Sequence, residues 1–128
     1  MIKYRNILSI ILISVLGLSV MACNRNQDDD LEQRIEETKH LQGHRKELMD
    51  GMIDGGLASR IENPDSKPFI YVTEPFFMLT SEEQASLMNV VWYYFITDDR
   101  EARVLTIYDN NTGEEKGTFS TKGLVMAE

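Results

Sequence analysis

The sequence predicts an α+β domain: an N-terminal amphipathic helix, then β-β-α-β-β, with a small antiparallel sheet packed on a central helix. Three observations predict it. Apolar residues recur at helical spacing over Leu31 to Ile53, and more densely over Leu79 to Ile96. Short β-branched and aromatic runs lie at Phe69 to Val72 and Val104 to Tyr108, bounded by turn residues. These runs do not alternate regularly with helices, which is the pattern of an α+β chain. With 128 residues, 42% of them hydrophobic, the chain can bury one modest core and not two.

In the first helical stretch, Leu31, Ile35, Leu41, Leu48, Met49, Met52 and Ile53 fall in a stripe roughly 140° wide. Asp28 to Asp30 supply negative charge at its start, and Gly51 and Gly55-Gly56 mark its end. Gly43 lies within it and weakens it by about 1 kcal/mol against Ala. Leu57, Ser59 and Ile61 then alternate as a strand, Asn63-Pro64-Asp65-Ser66 is turn chemistry, and Pro68 opens the next strand. The strongest helix follows. Thr80 with Glu83, or Ser81 with Gln84, forms a capping box. Ala85, Met88, Val91, Trp92, Phe95 and Ile96 share one face, while Leu87, Val90 and Tyr94 lie off it. A helix apolar nearly all round is buried on more than one side. Asn110 to Gly113 closes a hairpin whose Leu105, Ile107 and Phe119 face the core.

Ahead of this domain, Lys3 and Arg5 precede an apolar run from Ile7 to Ala22, about 16 residues and short of the roughly 20 needed to span a bilayer. A charged start, an apolar middle and a small residue at the cut form the layout of an export signal. The only cysteine, Cys23, follows at once. "VMAC", Val20 to Cys23, resembles the lipobox of bacterial lipoproteins. The resemblance covers residues 1–24. It implies a signal peptide over 1–22, a diacylglycerol on the Cys23 sulfur, and an acylated new amine. Asn24 after the cysteine points to the outer membrane where the source has two membranes. Residues 23–30 then read as the lipidated cysteine and a polar tether, and 31–128 as the domain. From Phe69 to Leu124 the chain also resembles a group of small uncharacterised bacterial envelope proteins. The shared features are an aromatic V-x-x-x-F segment, paired aromatics ending a helix, and a Y-D-x-x-T-G-x-x-x-G hairpin. That resemblance brings no activity with it.

Charge narrows the partners. Without residues 1–22, 11 basic residues stand against 21 acidic ones, a net of −10. Such a surface repels phosphates, so nucleic acid is excluded as a partner. A lone cysteine allows no internal disulfide.

Candidate chemistry is sparse. His40 and His44, four apart with Glu37 and Glu47 on the same helix face, have metal-ligand spacing, but that face lies opposite the apolar stripe and reads as solvated. No metal and no cofactor is therefore expected. Glu74 and Asp98 flank the central helix as carboxylates do in glycosidases, and also as they do in many ordinary helices. No histidine follows residue 44, no G-x-S-x-G occurs, and no Gly-rich phosphate loop occurs, so no catalytic residue is assigned. "YDNNTGE" fails the Ca²⁺-loop pattern at Glu114 and Ser120. Trp92, Tyr93, Tyr94 and Phe95 read as core more than as a sugar platform, with Tyr93 expected to be the exposed member. The expected function is a membrane-anchored, non-catalytic binding or interaction module facing the periplasm, held by lipid on Cys23. Its partner would be a protein of the periplasm or cell wall. The alternatives are a regulator or inhibitor of a periplasmic or cell-wall enzyme, and a metal-binding or catalytic protein using His40 and His44.

Overall fold

The computed structural model describes residues 27–127. Cys23 and the signal segment lie outside the described residues. Helix α1 (Gln27–Thr38) is followed by a 3₁₀ turn (Lys39–Leu41) and helix α2 (Gln42–Asp54). Strand β1 (Ala58–Glu62), a 3₁₀ turn (Pro64–Ser66) and strand β2 (Phe69–Val72) come next. The short helix α3 (Glu74–Phe77) leads to the long helix α4 (Ser81–Asp98). Strands β3 (Leu105–Asp109), β4 (Glu115–Ser120) and β5 (Gly123–Met126) end the domain.

The protein is α+β with one five-stranded mixed sheet, in the order β1-β2-β3-β4-β5. The all-antiparallel expectation is corrected here. β2 and β3 are parallel, with Phe69 beside Thr106 and Tyr71 beside Tyr108. Parallel neighbours need a long crossover, and the segment carrying α4 supplies it. The remaining neighbours are antiparallel. β5 is a strand that the sequence pattern does not announce.

The first helical stretch is also two helices rather than one. The break falls at Lys39–Leu41, where Thr38 leaves helical geometry at φ −114°. The first of these helices starts at Gln27, inside the segment read as tether, and Asp30 pairs with Arg34 at 2.9 Å.

α4 starts with the capping box of Thr80 and Glu83: Glu83 N–H donates to Thr80 Oγ1 at 3.1 Å, and Thr80 N–H to Glu83 Oε1 at 2.9 Å. Its far end carries Asp98 and Asp99, where negative charge opposes the dipole. Arg100 folds back there and donates to the carbonyls of Ile96 and Thr97, and its Nε meets Glu32 of α1 at 2.6 Å.

The core lies between the helices and one face of the sheet. Ile70, Val72, Leu105 and Ile107 point into it and are fully buried, and Leu87, Met88, Val91 and Trp92 of α4 meet them. α4 is indeed buried on more than one side. The expectation that Tyr93 is exposed fails: it is 6% exposed, because α1 and α2 bring Arg34 and Arg45 over it. Among the described residues no helix is long and apolar enough to cross a membrane.

Candidate functional site on the open sheet face

A strand buried on one side shows alternate residues to the other. In β2 the inward residues are Ile70 and Val72, so Phe69 and Tyr71 face outward; in β3, Leu105 and Ile107 point in, and Thr106 and Tyr108 out. Register then aligns them. Arg60 of β1 stands opposite Tyr71, and Tyr71 beside Tyr108.

The result is a ladder across three strands. The Arg60 guanidinium lies 5.3 Å from the Tyr71 ring centre, and Tyr71 stacks on Tyr108 at 5.0 Å with planes 21° apart. Phe69 meets Tyr71 edge-on at 5.5 Å and also sits under Arg60 at 5.2 Å. Glu62 accepts from Arg60 Nε at 3.0 Å, which raises the Arg60 pKa from its usual value and keeps the cation oriented. Half-exposed aromatic rings beside an exposed arginine combine apolar area with a fixed charge, the composition found where binding energy concentrates.

A groove of about 490 Å³ opens beside this ladder, at the start of β2 and β3. Phe69, Val104 and Tyr108 give it an apolar wall, and Asp65, Lys67 and Glu101 bring charge of both signs. Its size is that of a small-ligand pocket or of a few residues of an extended chain. Its lining contains neither imidazole nor thiol.

The rim of the groove is strained. Asp65 and Ser66 both have positive φ, at 53° and 62°, in the left-handed region that non-glycine residues visit rarely. Asp99 holds the turn in this shape. Ser66 Oγ donates to Asp99 Oδ2 at 2.7 Å, Asn63 Nδ2 donates to the same oxygen at 3.0 Å, and Glu101 N–H donates to Asp99 Oδ1 at 3.1 Å. The Ser66 bond first, and the Asn63 bond second, hold the Asp99 carboxyl below the ordinary carboxylate pKa.

The other sequence candidates do not converge. His40 falls in the 3₁₀ turn and His44 in α2, so the regular four-residue spacing of one helix is lost between them. His40 is exposed, as are Glu37 and Glu47. Among the described residues no three His, Cys, Asp or Glu side chains are grouped to hold a metal ion. Glu74 and Asp98 sit at the α3 start and the α4 end, and neither lines the groove. Asp109 takes the role of a turn residue, accepting from Asn111 N–H at 2.8 Å, with Gly113 at φ 75°. Of the α4 aromatics, Trp92 is 3% exposed and donates Nε1–H to the Arg103 carbonyl at 2.9 Å, while Tyr94 and Phe95 are half-buried. Phe69, Tyr71 and Tyr108 on the sheet are no more exposed than Tyr94 and Phe95, but Tyr94 and Phe95 pack against the core and the sheet aromatics do not. The sequence signal of the sheet aromatics was the period-two spacing of Phe69 and Tyr71, and of Thr106 and Tyr108.

Compared with known proteins, the chain matches no family model, no curated protein and no solved structure.

Proposed function

We propose that the protein is a lipid-anchored envelope lipoprotein whose domain is a non-catalytic binding module, with the open sheet face as its binding surface. The observation that carries the binding surface is the Arg60–Tyr71–Tyr108 ladder with Phe69, set beside a groove on the side of the sheet away from the helices. The "VMAC" junction carries the anchor. In this reading α1 and α2 link the tether to the sheet and α4, and the binding face looks into the periplasm. The net charge of −10 after residue 22 favours a basic partner, which is also what an inhibitor of a cationic wall enzyme would use.

The test separates the two halves of the proposal. Cells expressing the wild-type chain, Cys23→Ala, and the double variant Tyr71→Ala/Tyr108→Ala are labelled with palmitate and crosslinked in intact envelopes. Wild type should carry label and Cys23→Ala should not; equal labelling removes the anchor. The double variant should be labelled, remain folded, and lose the partner that wild type captures. Capture of the same partner by both chains at equal yield removes the open face as the binding surface.

A further inference from the structure

The two edges of the sheet are built differently. β1 carries a register irregularity between Ala58 and Arg60, and its exposed side chains include the charged Arg60 and Glu62. Bulges and charges are two of the devices by which proteins block edge-to-edge pairing, a very short edge strand being another. β5 has neither bulge nor charge. Its four residues are Gly123, Leu124, Val125 and Met126, its pairing with β4 is regular, and Val125 is 56% exposed.

We infer that β5 is a self-association edge, pairing antiparallel with β5 of a second copy of this chain to make one ten-stranded sheet. The hydrogen-bond parity fixes the register. Ala127 N–H bonds to the Lys116 carbonyl in β4, so the alternating backbone groups of Val125 also point into the sheet. Those of Leu124 and Met126 therefore point outward. A two-fold axis at Val125 sets Leu124 opposite Met126 of the second copy, and Met126 opposite its Leu124. The two pairs make four backbone hydrogen bonds with every outward group used.

The side chains agree with this register. Leu124 and Met126 pack on the helix side against the core, so in the dimer an apolar row faces an apolar row. Val125, in register with Thr118 on the open side, meets itself. Gly123 faces Ala127, and no like charges are opposed within the paired run. The same register turns both aromatic ladders to one side of the joined sheet. The association does not depend on the proposed lipid anchor or binding face. Pairing over so few residues falls short of the roughly 1,200 Å² of firm complexes, so it is concentration-dependent.

Opposed residues in such a non-hydrogen-bonded pair have Cα atoms about 4.5 Å apart, within the roughly 4.4–6.8 Å that a disulfide accepts. The purified full-length chain carrying Val125→Cys should therefore form a disulfide-linked dimer on mild oxidation. Its yield should be several-fold above that of Thr112→Cys at the exposed hairpin tip, and above the wild-type chain with Cys23 alone. Val125→Asp, which opposes two carboxylates on a solvent-exposed position, should sediment as monomer where wild type shows concentration-dependent dimer. The inference is overturned if wild type sediments as monomer across the concentration range, or if Val125→Cys crosslinks no more than Thr112→Cys.

Discussion

The Arg45 guanidinium lies 5.1 Å from the centre of the Tyr93 ring, and both side chains are buried, Arg45 at 3% exposure. Its hydrogen bonds go to neutral acceptors: Nη2 to Thr38 Oγ1 at 2.8 Å, and Nη1 to Gln42 Oε1 at 2.9 Å and to Thr97 Oγ1 at 3.4 Å. Burial draws its pKa down from the usual arginine value, with Tyr93 acting in the opposite direction. A cation removed from water is costly unless it is well bonded. Here it joins α2 to the end of α1 and to α4, with Gln42 Nε2 bonding the Tyr94 carbonyl at 2.9 Å beside it.

Arg45→Ala should therefore destabilise the domain by about 2–4 kcal/mol, through a cavity and the loss of the bonds to Thr38 Oγ1 and Gln42 Oε1. Arg45→Met, which keeps most of the volume without the charge, should cost less, about 1–2 kcal/mol. Urea unfolding of the three proteins measures this. An Arg45→Ala midpoint equal to wild type would show that the guanidinium holds nothing together.

Trp92 and Tyr93 pack edge-on at 5.1 Å, and Trp92 also meets Phe119 of β4 at 5.9 Å. Both Trp92→Ala and Tyr93→Ala should cost about 3–5 kcal/mol, a large part of the roughly 5–15 kcal/mol that a domain possesses. Tyr93→Phe should cost far less, about 1 kcal/mol or below, because the ring keeps its contacts with Trp92 and Arg45. Thermal melts rank the three. A Tyr93→Ala protein as stable as wild type would restore the exposed position that the helix pattern suggested.

Those two residues show how far the sequence carries. The capping box of α4 was legible because Thr80 and Glu83 are local, and the core positions Leu105, Ile107 and Phe119 were legible from alternation. Tyr93 was misread because a helical wheel knows one helix only; the side off the main face is covered by α1 and α2. Arg45 was missed for the same reason, since a lone charge in a helix pattern looks solvated. The parallel pairing of β2 and β3 is a property of strand order, which no local spacing encodes. β5 escaped because "KGLVMAE" is short and has no clear alternation. On the site, the period-two aromatics Phe69 and Tyr71 were visible as a strand, but their alignment with Tyr108 depends on the same non-local pairing.

Acid should loosen the groove rim through Asp99. Its folded pKa lies below the unfolded value of about 3.9. A lowered carboxylate stabilises the fold above the unfolded pKa, and that contribution is lost as pH falls through the folded one. Between about pH 5 and about pH 2, wild type should lose more stability than Asp99→Asn, which has no charge to neutralise. Chemical denaturation at both ends of this range gives the comparison. Identical losses in the two proteins would mean that the Ser66 and Asn63 bonds are not coupled to ionisation.

Two glycines set a final contrast, with opposite expected signs. At Gly117 in β4, an added Cβ would come within 2.6 Å of the Val125 carbonyl oxygen and 2.7 Å of the Met126 sulfur. The sulfur can swing away, but the carbonyl belongs to the β4–β5 pairing, so β5 must shift. Gly117→Ala should destabilise by about 1–3 kcal/mol, and the loss should be local: amide exchange should speed up in Gly123 to Met126 more than in β2 or α4. At Gly43, in the first turn of α2, nothing lies within 4 Å of an added Cβ and the backbone is helical. Gly43→Ala should stabilise by up to about 1 kcal/mol through helix propensity and the reduced freedom of the unfolded chain. If Gly117→Ala leaves β5 exchange unchanged, the close approach of β5 to β4 is not what seats the edge strand. If Gly43→Ala destabilises, the start of α2 depends on glycine for a reason other than space.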